Sequence, residues 1–110
     1  LKARRLLDEM RSPALKVVMD AANLFHPGDL ARIPAVLRDA FERLGKDIVL
    51  AHAKDLAATG EVVAAGKGVL DYPLYLELLE QSGYSGPLIL HSLSEDEVAG
   101  SAAFLRSFLA

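Results

Sequence analysis

A short apolar stretch that stops on a cluster of polar side chains constrains the fold most. Residues 48–51 form an apolar run that includes β-branched residues, and it is followed at once by His52, Lys54 and Asp55. Such a run predicts a strand that is buried on both faces of a parallel sheet. Because functional groups of parallel α/β folds collect at the C-terminal ends of the strands, we expect a functional site here.

Two further strands of this kind are predicted, and each also ends on a polar residue. Residues 15–19 end on Asp20, and residues 87–90 end on His91. The ends at Asp20, His52 and His91 lie 32 and 39 positions apart, whereas an eight-stranded (β/α)8 barrel uses about 31 residues for each unit. The pattern predicts one helix followed by three strand–helix units. A doubly wound sheet is the alternative on pattern alone.

The predicted helix ends rest on local signals. The first helix, residues 1–11, should stop before Pro13, because the residue before a proline avoids the helical region. The other signals are Gly45 as a left-handed helix terminator, Asp71 as an N-cap with Pro73 in the first turn, Gly83 as a stop, and a capping box from Ser94 to Glu97. A loop of about residues 54–70 contains Gly66-Lys67-Gly68, for which we favour simple turn geometry. The last helix repeats apolar residues in one stripe at Val98, Ala102, Leu105 and Leu109.

Composition excludes several classes of protein. With 110 residues, of which 52% are hydrophobic and 25% charged, the chain is expected to be globular and to form one domain. The net charge of −3 and the mixed signs give no basic track, so we expect no nucleic acid partner. No apolar run approaches the roughly 20 residues of a membrane span, so we expect no membrane partner. The absence of cysteine excludes disulfides and thiolate metal sites.

Four segments together resemble the sugar phosphate isomerase/epimerase superfamily, the xylose-isomerase-like TIM barrels that also include the endonuclease IV type. They are Val17-Val18-Met19-Asp20-Ala21-Ala22-Asn23, Ala51-His52-Ala53-Lys54-Asp55, Gly66-Lys67-Gly68-Val69-Leu70-Asp71-Tyr72 and Gly83-Tyr84-Ser85-Gly86-Pro87-Leu88-Ile89-Leu90. The resemblance implies an α/β fold in which residues 1–110 form a single partial domain, the C-terminal portion of a (β/α)8 TIM barrel with strands six to eight. It also implies a cytoplasmic enzyme of carbohydrate metabolism.

The resemblance implies a divalent metal, Mn²⁺, Mg²⁺, Co²⁺ or Zn²⁺, at the mouth of the barrel. Asp20 corresponds to the strand-six ligand and His52 to the strand-seven ligand. The strand-eight position, usually Glu in this family, holds His91, which we expect either to bind the metal or to act as the catalytic acid/base. The strand-five Glu would lie upstream of Leu1. Because these two glutamates form the acid/base pair of the family's epimerases, the usual two-glutamate epimerisation does not carry over directly.

Four more residues are candidates for binding a small-molecule sugar or sugar phosphate: Asn23, His26, Lys54 and Asp55. Each candidate also has a structural interpretation. Asp20 could cap a turn, His52 could be a hydrogen-bonded core histidine, and His91 a polar strand end under a loop. His26 is more typical of a surface loop, while Lys54 and Asp55 could form a local ion pair or support another ligand.

Three functions follow from the resemblance. The first is a metal-dependent isomerase or epimerase, or a related lyase or dehydratase, that removes a proton next to a carbonyl while the metal stabilises the enediolate. The second is a non-catalytic sugar-binding or interaction barrel, which the His91 replacement favours. An endonuclease IV-like nuclease is the third, and the acidic balance weakens it.

The chain begins at Leu1, without Met, and we interpret it as a piece of a longer protein. Three parallel strands cannot close a barrel, so both edges of the sheet would be open. We therefore expect the remainder of the barrel, or a second copy in a homo-oligomer, to pair with these edges. Catalysis by the piece alone is not expected, because part of the metal shell would be missing.

Overall fold

A computed structural model describes residues 2–109, and it contains the predicted alternation of helices and strands. The α-helices are α1 (Lys2–Met10), α2 (Ile33–Leu44), α3 (Tyr72–Gln81) and α4 (Val98–Arg106). The strands are β1 (Val17–Asp20), β2 (Ile48–Ala53), β3 (Asp55–Leu56), β4 (Val62–Val63) and β5 (Leu88–Leu90). Of these helices, none is long and apolar enough to cross a membrane.

The central sheet is parallel, with the strand order β1-β2-β5, and the prediction of three strand–helix units is confirmed. The predicted loop after β2 holds one addition, the short antiparallel pair of β3 and β4. Met19 of β1 pairs with Ala51 of β2, and both are buried in a core that α2, α3 and α4 supply with Leu37, Tyr75 and Leu105. The helices thus cover one face of the sheet, as they do around a barrel.

The prediction that β2 is buried on both faces is wrong for the described residues. Side chains alternate between the faces of a strand, and the helix-covered face takes Ala51 and Ala53, which are both fully buried. Within β2 itself Val49 is 54% exposed, and in the neighbouring strands Val18 and Ile89, on the face opposite Ala51, are 50% and 37% exposed. No layer of described residues covers that face. In a closed barrel it would be the interior, which side chains from the other strands fill.

Three of the predicted helix signals are confirmed. The Asp71 carboxylate accepts a hydrogen bond from the backbone N–H of Leu74, at 3.1 Å, so Asp71 caps α3. Gly83 follows the end of α3 with φ +83°, the left-handed conformation expected of a terminator. The Glu97 carboxylate accepts from the backbone N–H of Ser94 at 2.9 Å, which completes the predicted capping box. That bond, with help from Lys67, lowers the pKa of Glu97 to about 2.

One prediction about a helix end is wrong, and one about the buried face of a helix holds only in part. Gly45 is right-handed, with φ −52°, because the chain continues from α2 into a 3₁₀ turn (Gly45–Asp47). A β-carbon there would lie 3.3 Å from Ser82 Cβ, so the absence of a side chain allows close approach to the end of α3. On α4 the buried residues are Ser101 and Leu105, whereas Val98 is exposed; Leu109 lies beyond the end of the helix and is also exposed. The predicted apolar stripe is therefore buried only in part, and the docking face also contains Ser101, whose Oγ donates to the carbonyl of Ala65.

Gly83, which follows the end of α3, and Gly100, which lies within α4, allow a matched test of the left-handed helix terminator. At both positions an added β-carbon would meet no atom within 4 Å, so packing does not distinguish them. Gly83→Ala should lower the free energy of unfolding by about 1–2 kcal/mol, because L residues are strained at positive φ. Gly100→Ala, within α4, should raise it by about 0.5–1 kcal/mol. Urea denaturation of both variants measures this, and equal effects of the same sign would contradict the assignment.

Candidate functional site

The predicted site residues of β1 and β2 meet at the C-terminal edge of the sheet. The parallel register pairs Asp20 with His52, so both side chains lie on the face that the helices leave open. His52 Nδ1 lies 3.3 Å from Asp20 Oδ2, within hydrogen-bonding distance. The sheet register alone therefore brings a carboxylate and an imidazole together from positions far apart in the sequence.

Lys54 adds a buried cation to this pair. Its side chain is 8% exposed, and its Nζ lies 2.9 Å from the same Asp20 Oδ2 and 3.4 Å from Asn23 Oδ1. Asn23 belongs to a 3₁₀ turn (Ala21–Leu24) that follows β1 directly, which places its amide beside the strand end. The ammonium thus joins the two loops that leave β1 and β2.

The two oxygens of Asp20 have different environments. Oδ2 contacts both His52 and Lys54. Oδ1 is buried and has no hydrogen-bond partner among the described residues. Buried polar atoms are nearly always satisfied in folded proteins, and a carboxylate oxygen has lone pairs for a donor or a cation. Among the described residues, Oδ1 is therefore the oxygen of this carboxylate whose hydrogen-bonding capacity is not satisfied.

His91 follows β5 and lies beside His52, and no contact with Asp20 is present among the described residues. Its ring is stacked on that of His52, with centroids 4.8 Å apart and planes 4° from parallel, and its Nδ1 lies 2.8 Å from Ser92 Oγ. An imidazole binds a metal in its ring plane, at about 2.0–2.1 Å for zinc. Two nearly parallel planes at this separation do not share such a point.

The predicted three-residue metal site is therefore not assembled as a set. Among residues 2–109, no group of three or more histidine, aspartate or glutamate side chains is arranged to hold a metal ion. Asp20 and His52 are adjacent and offer one oxygen and one nitrogen, a mixed donor set that suits Mn, Co or Zn. These two residues fit part of a metal shell, whereas His91 as it stands is placed beside that shell.

Asp55 points into the protein and organises the loop after β2. Its side chain is 1% exposed, and its oxygens accept three backbone N–H groups: those of Leu56 and Leu70 at 2.9 Å and that of Gly66 at 3.0 Å. Gly68 approaches so closely that a β-carbon there would lie 2.5 Å from Asp55 Oδ1. The carboxylate thus holds the loop 56–70 against the strand end, and it has no free oxygen directed at the open face.

His26 lies apart from the other candidates. It is exposed and precedes a 3₁₀ helix (Pro27–Arg32), and its backbone N–H donates to Asp29 Oδ2 at 3.1 Å. Its side chain lines a small cleft with Phe25, Leu30, Leu56 and Gly60. No contact of this imidazole with Asp20, His52 or Lys54 is present in the described structure.

Two tyrosines of α3 also belong to the site, and the sequence analysis did not select them. The Tyr75 hydroxyl donates to the backbone carbonyl of His52 at 2.8 Å, and the Tyr72 hydroxyl donates to that of Lys54. Burial raises the pKa of both phenols above the usual value, so they stay protonated as donors. The sequence signal that could have identified them is the presence of two tyrosines, three positions apart, in a leucine-rich helix. A tyrosine that is buried with such a helix needs a hydrogen-bond partner for its hydroxyl.

The chain matches a known protein family over almost its whole length. The family model described as xylose isomerase-like TIM barrel matches residues 2–108. The chain belongs to the xylose isomerase-like TIM barrel family. Neither the comparison with curated proteins nor the comparison with solved structures gives a significant match.

Membership of the xylose isomerase-like TIM barrel family agrees with the fold. Successive parallel strands lie side by side and the helices cover one face, which confirms the prediction of a barrel segment and excludes the doubly wound alternative. In TIM barrels the site lies at the C-terminal ends of the strands, where Asp20 and His52 are found. The family includes isomerases and epimerases as well as nucleases.

Asp55→Ala should destabilise the protein strongly. Three backbone N–H groups would lose their acceptor, and each buried donor left unsatisfied costs about 1–3 kcal/mol. We expect the free energy of unfolding to fall by at least about 3 kcal/mol in urea denaturation. Asp39→Ala is the control, because Asp39 forms an exposed ion pair with Arg43 and such a pair contributes about 0–1 kcal/mol. Equal effects of the two substitutions would contradict the role assigned to Asp55.

Proposed function

We propose that this chain carries part of the active site of a sugar or sugar phosphate isomerase or epimerase, which moves a proton next to a carbonyl group. The observation that carries the proposal is the Asp20 carboxylate. One of its oxygens is held by His52 and Lys54, and the other is buried without a partner among the described residues. The family and the position at the C-terminal strand ends support the same interpretation.

Asp20 and His52 are the residues that would hold a divalent cation, Mn²⁺, Mg²⁺, Co²⁺ or Zn²⁺. Such an ion, when bound, supplies Lewis acidity that polarises the substrate carbonyl and stabilises the negative charge of the enediolate. Two protein donors are fewer than these ions require. The other ligands would be substrate oxygens, water, or side chains of other barrel strands.

His91 is better placed for proton transfer than for metal binding. It is exposed at the edge of the site, beside His52, and its Nδ1 is oriented by Ser92. Imidazole is the side chain that most readily gives and takes protons near neutral pH. In this proposal His91 takes over the acid/base role of the usual glutamate at the end of strand eight.

Lys54 and Asn23 are the proposed contacts to substrate oxygens. Both lie beside Asp20, and both carry groups that donate hydrogen bonds to hydroxyl, carbonyl or phosphate oxygens. Asp55 acts in this proposal by holding the loop that follows Lys54. His26 would contact only a substrate long enough to extend from Asp20 toward the turn that follows β1.

A second function is favoured by a specific observation. His91 stands where the family usually has glutamate, and its ring faces His52 instead of an open metal position. A barrel that has lost its chemistry and binds a sugar or another protein would tolerate this arrangement. A nuclease is less favoured, because the net charge of −3 offers no basic track for DNA.

Exchange of the proton next to the carbonyl tests the first function directly. The protein with its complete barrel, supplied with diamagnetic Mg²⁺ or Zn²⁺, is incubated with a panel of ketoses and ketose phosphates in D₂O, and proton NMR follows deuterium incorporation. We expect incorporation into at least one sugar. Asp20→Asn should reduce the rate at least about 100-fold, because it weakens the binding of both Lys54 and any cation.

Asp39→Asn is the matched control, since it makes the same chemical change in an exposed ion pair on α2. Its exchange rate should equal that of the wild type. A sugar that binds, with no deuterium incorporated under any metal condition, would favour the non-catalytic alternative. Exchange that survives Asp20→Asn at the wild-type rate would overturn the assignment of Asp20.

A further inference from the structure

Helix α3 places two hydroxyl groups against the strand that carries the site. Tyr75 donates to the carbonyl of His52, and Tyr72, one turn earlier, donates to that of Lys54. The carbonyl between them, that of Ala53, accepts from the backbone N–H of His91 at 3.2 Å. Three successive carbonyls at the end of β2 thus each have their own donor, and two of these donors are tyrosine hydroxyls.

The tyrosine rings themselves are fixed by their neighbours. Both are completely buried. They contact each other edge to face with centroids 5.7 Å apart, and the row extends to Phe41 of α2 at 6.0 Å from Tyr75 and to Phe104 of α4 at 5.2 Å from Tyr72. Edge-to-face contacts at these distances are favourable. Since helices on both sides hold the rings, the hydroxyls have little freedom to move.

We propose that Tyr72 and Tyr75 are positioning residues, which fix the backbone at Lys54 and His52 so that the ammonium and the imidazole meet on one oxygen of Asp20. A hydrogen bond to the carbonyl of His52 fixes the orientation of the peptide group next to its Cα, and thereby the direction in which the His52 side chain leaves the backbone. The bond to the carbonyl of Lys54 does the same for the Lys54 side chain. The two contacts on Asp20 Oδ2, at 3.3 and 2.9 Å, depend on both planes. Neither tyrosine touches the open face where substrate would bind.

The importance of this inference for catalysis rests on the proposed function, but its test does not. Tyr75→Phe and Tyr72→Phe keep the aromatic packing and remove only the hydroxyls. In carbon–proton NMR spectra we expect Tyr75→Phe to shift the imidazole signals of His52, and Tyr72→Phe to shift the ε-CH₂ signals of Lys54. Assignment of these signals uses His52→Gln and Lys54→Met.

Tyr84→Phe is the matched control. The Tyr84 hydroxyl also donates to a backbone carbonyl, that of Pro87, but it lies between α3 and β5, away from Asp20. It should leave the His52 and Lys54 signals at their wild-type positions. Urea denaturation of all three variants gives the loss of stability, which allows a change of the site to be separated from a general loosening of the fold.

Three results would overturn the proposal. The first is a folded Tyr75→Phe and a folded Tyr72→Phe with unshifted His52 and Lys54 signals. The second is an equal shift in Tyr84→Phe. The third is failure of both tyrosine variants to fold, which would make the hydroxyls supports of the whole fold instead of the site. If the wild-type protein catalysed no deuterium exchange, the proposed function would be contradicted. The shifts of the His52 and Lys54 signals would still decide whether the tyrosines are positioning residues.

Discussion

The parallel register between β1 and β2 is the constraint on which the rest of the site depends. It pairs Asp20 with His52 and directs both to the face without helices. The opposite face takes Met19, Ala51 and Ala53 into the core. A shift of one residue would exchange the two sets, burying charges among leucines and exposing the core. The same hydrophobic pattern that stabilises the sheet therefore also selects which side chains form the site.

Hydrogen bonding then distinguishes the two carboxylates at this edge. Asp55 has its oxygens satisfied by three backbone N–H groups, and it orders the loop that follows β2. Asp20 differs, because one of its oxygens has no partner among the described residues. The two carboxylates at this edge thus differ in how completely the described residues satisfy their hydrogen bonds. Their exposures are both low, so exposure alone would not separate them.

The elements that the sequence predicted well depend on neighbours in the chain. The strand ends at Asp20 and His52, the cap at Asp71 and the Glu97–Ser94 contact follow from residues at most a few positions apart. The errors arise where distant segments meet. Gly45 lies close to Ser82, where a β-carbon would be crowded, and Ser101 is buried on α4 with a hydrogen bond to the carbonyl of Ala65. No local pattern contains these contacts, since each joins residues that are more than 30 positions apart.

The sequence by itself determined the order of strands and helices and the residues at the strand ends, because these are set by local patterns along the chain, and the resemblance of four segments indicated the barrel family, which the family model shows. Only the tertiary structure decided how those residues are oriented. It stacked His91 on His52, turned Asp55 inward and brought two tyrosine hydroxyls of α3 to the carbonyls of His52 and Lys54. Orientation depends on which helix packs behind a strand and at what rotation, and that is fixed by contacts across the core.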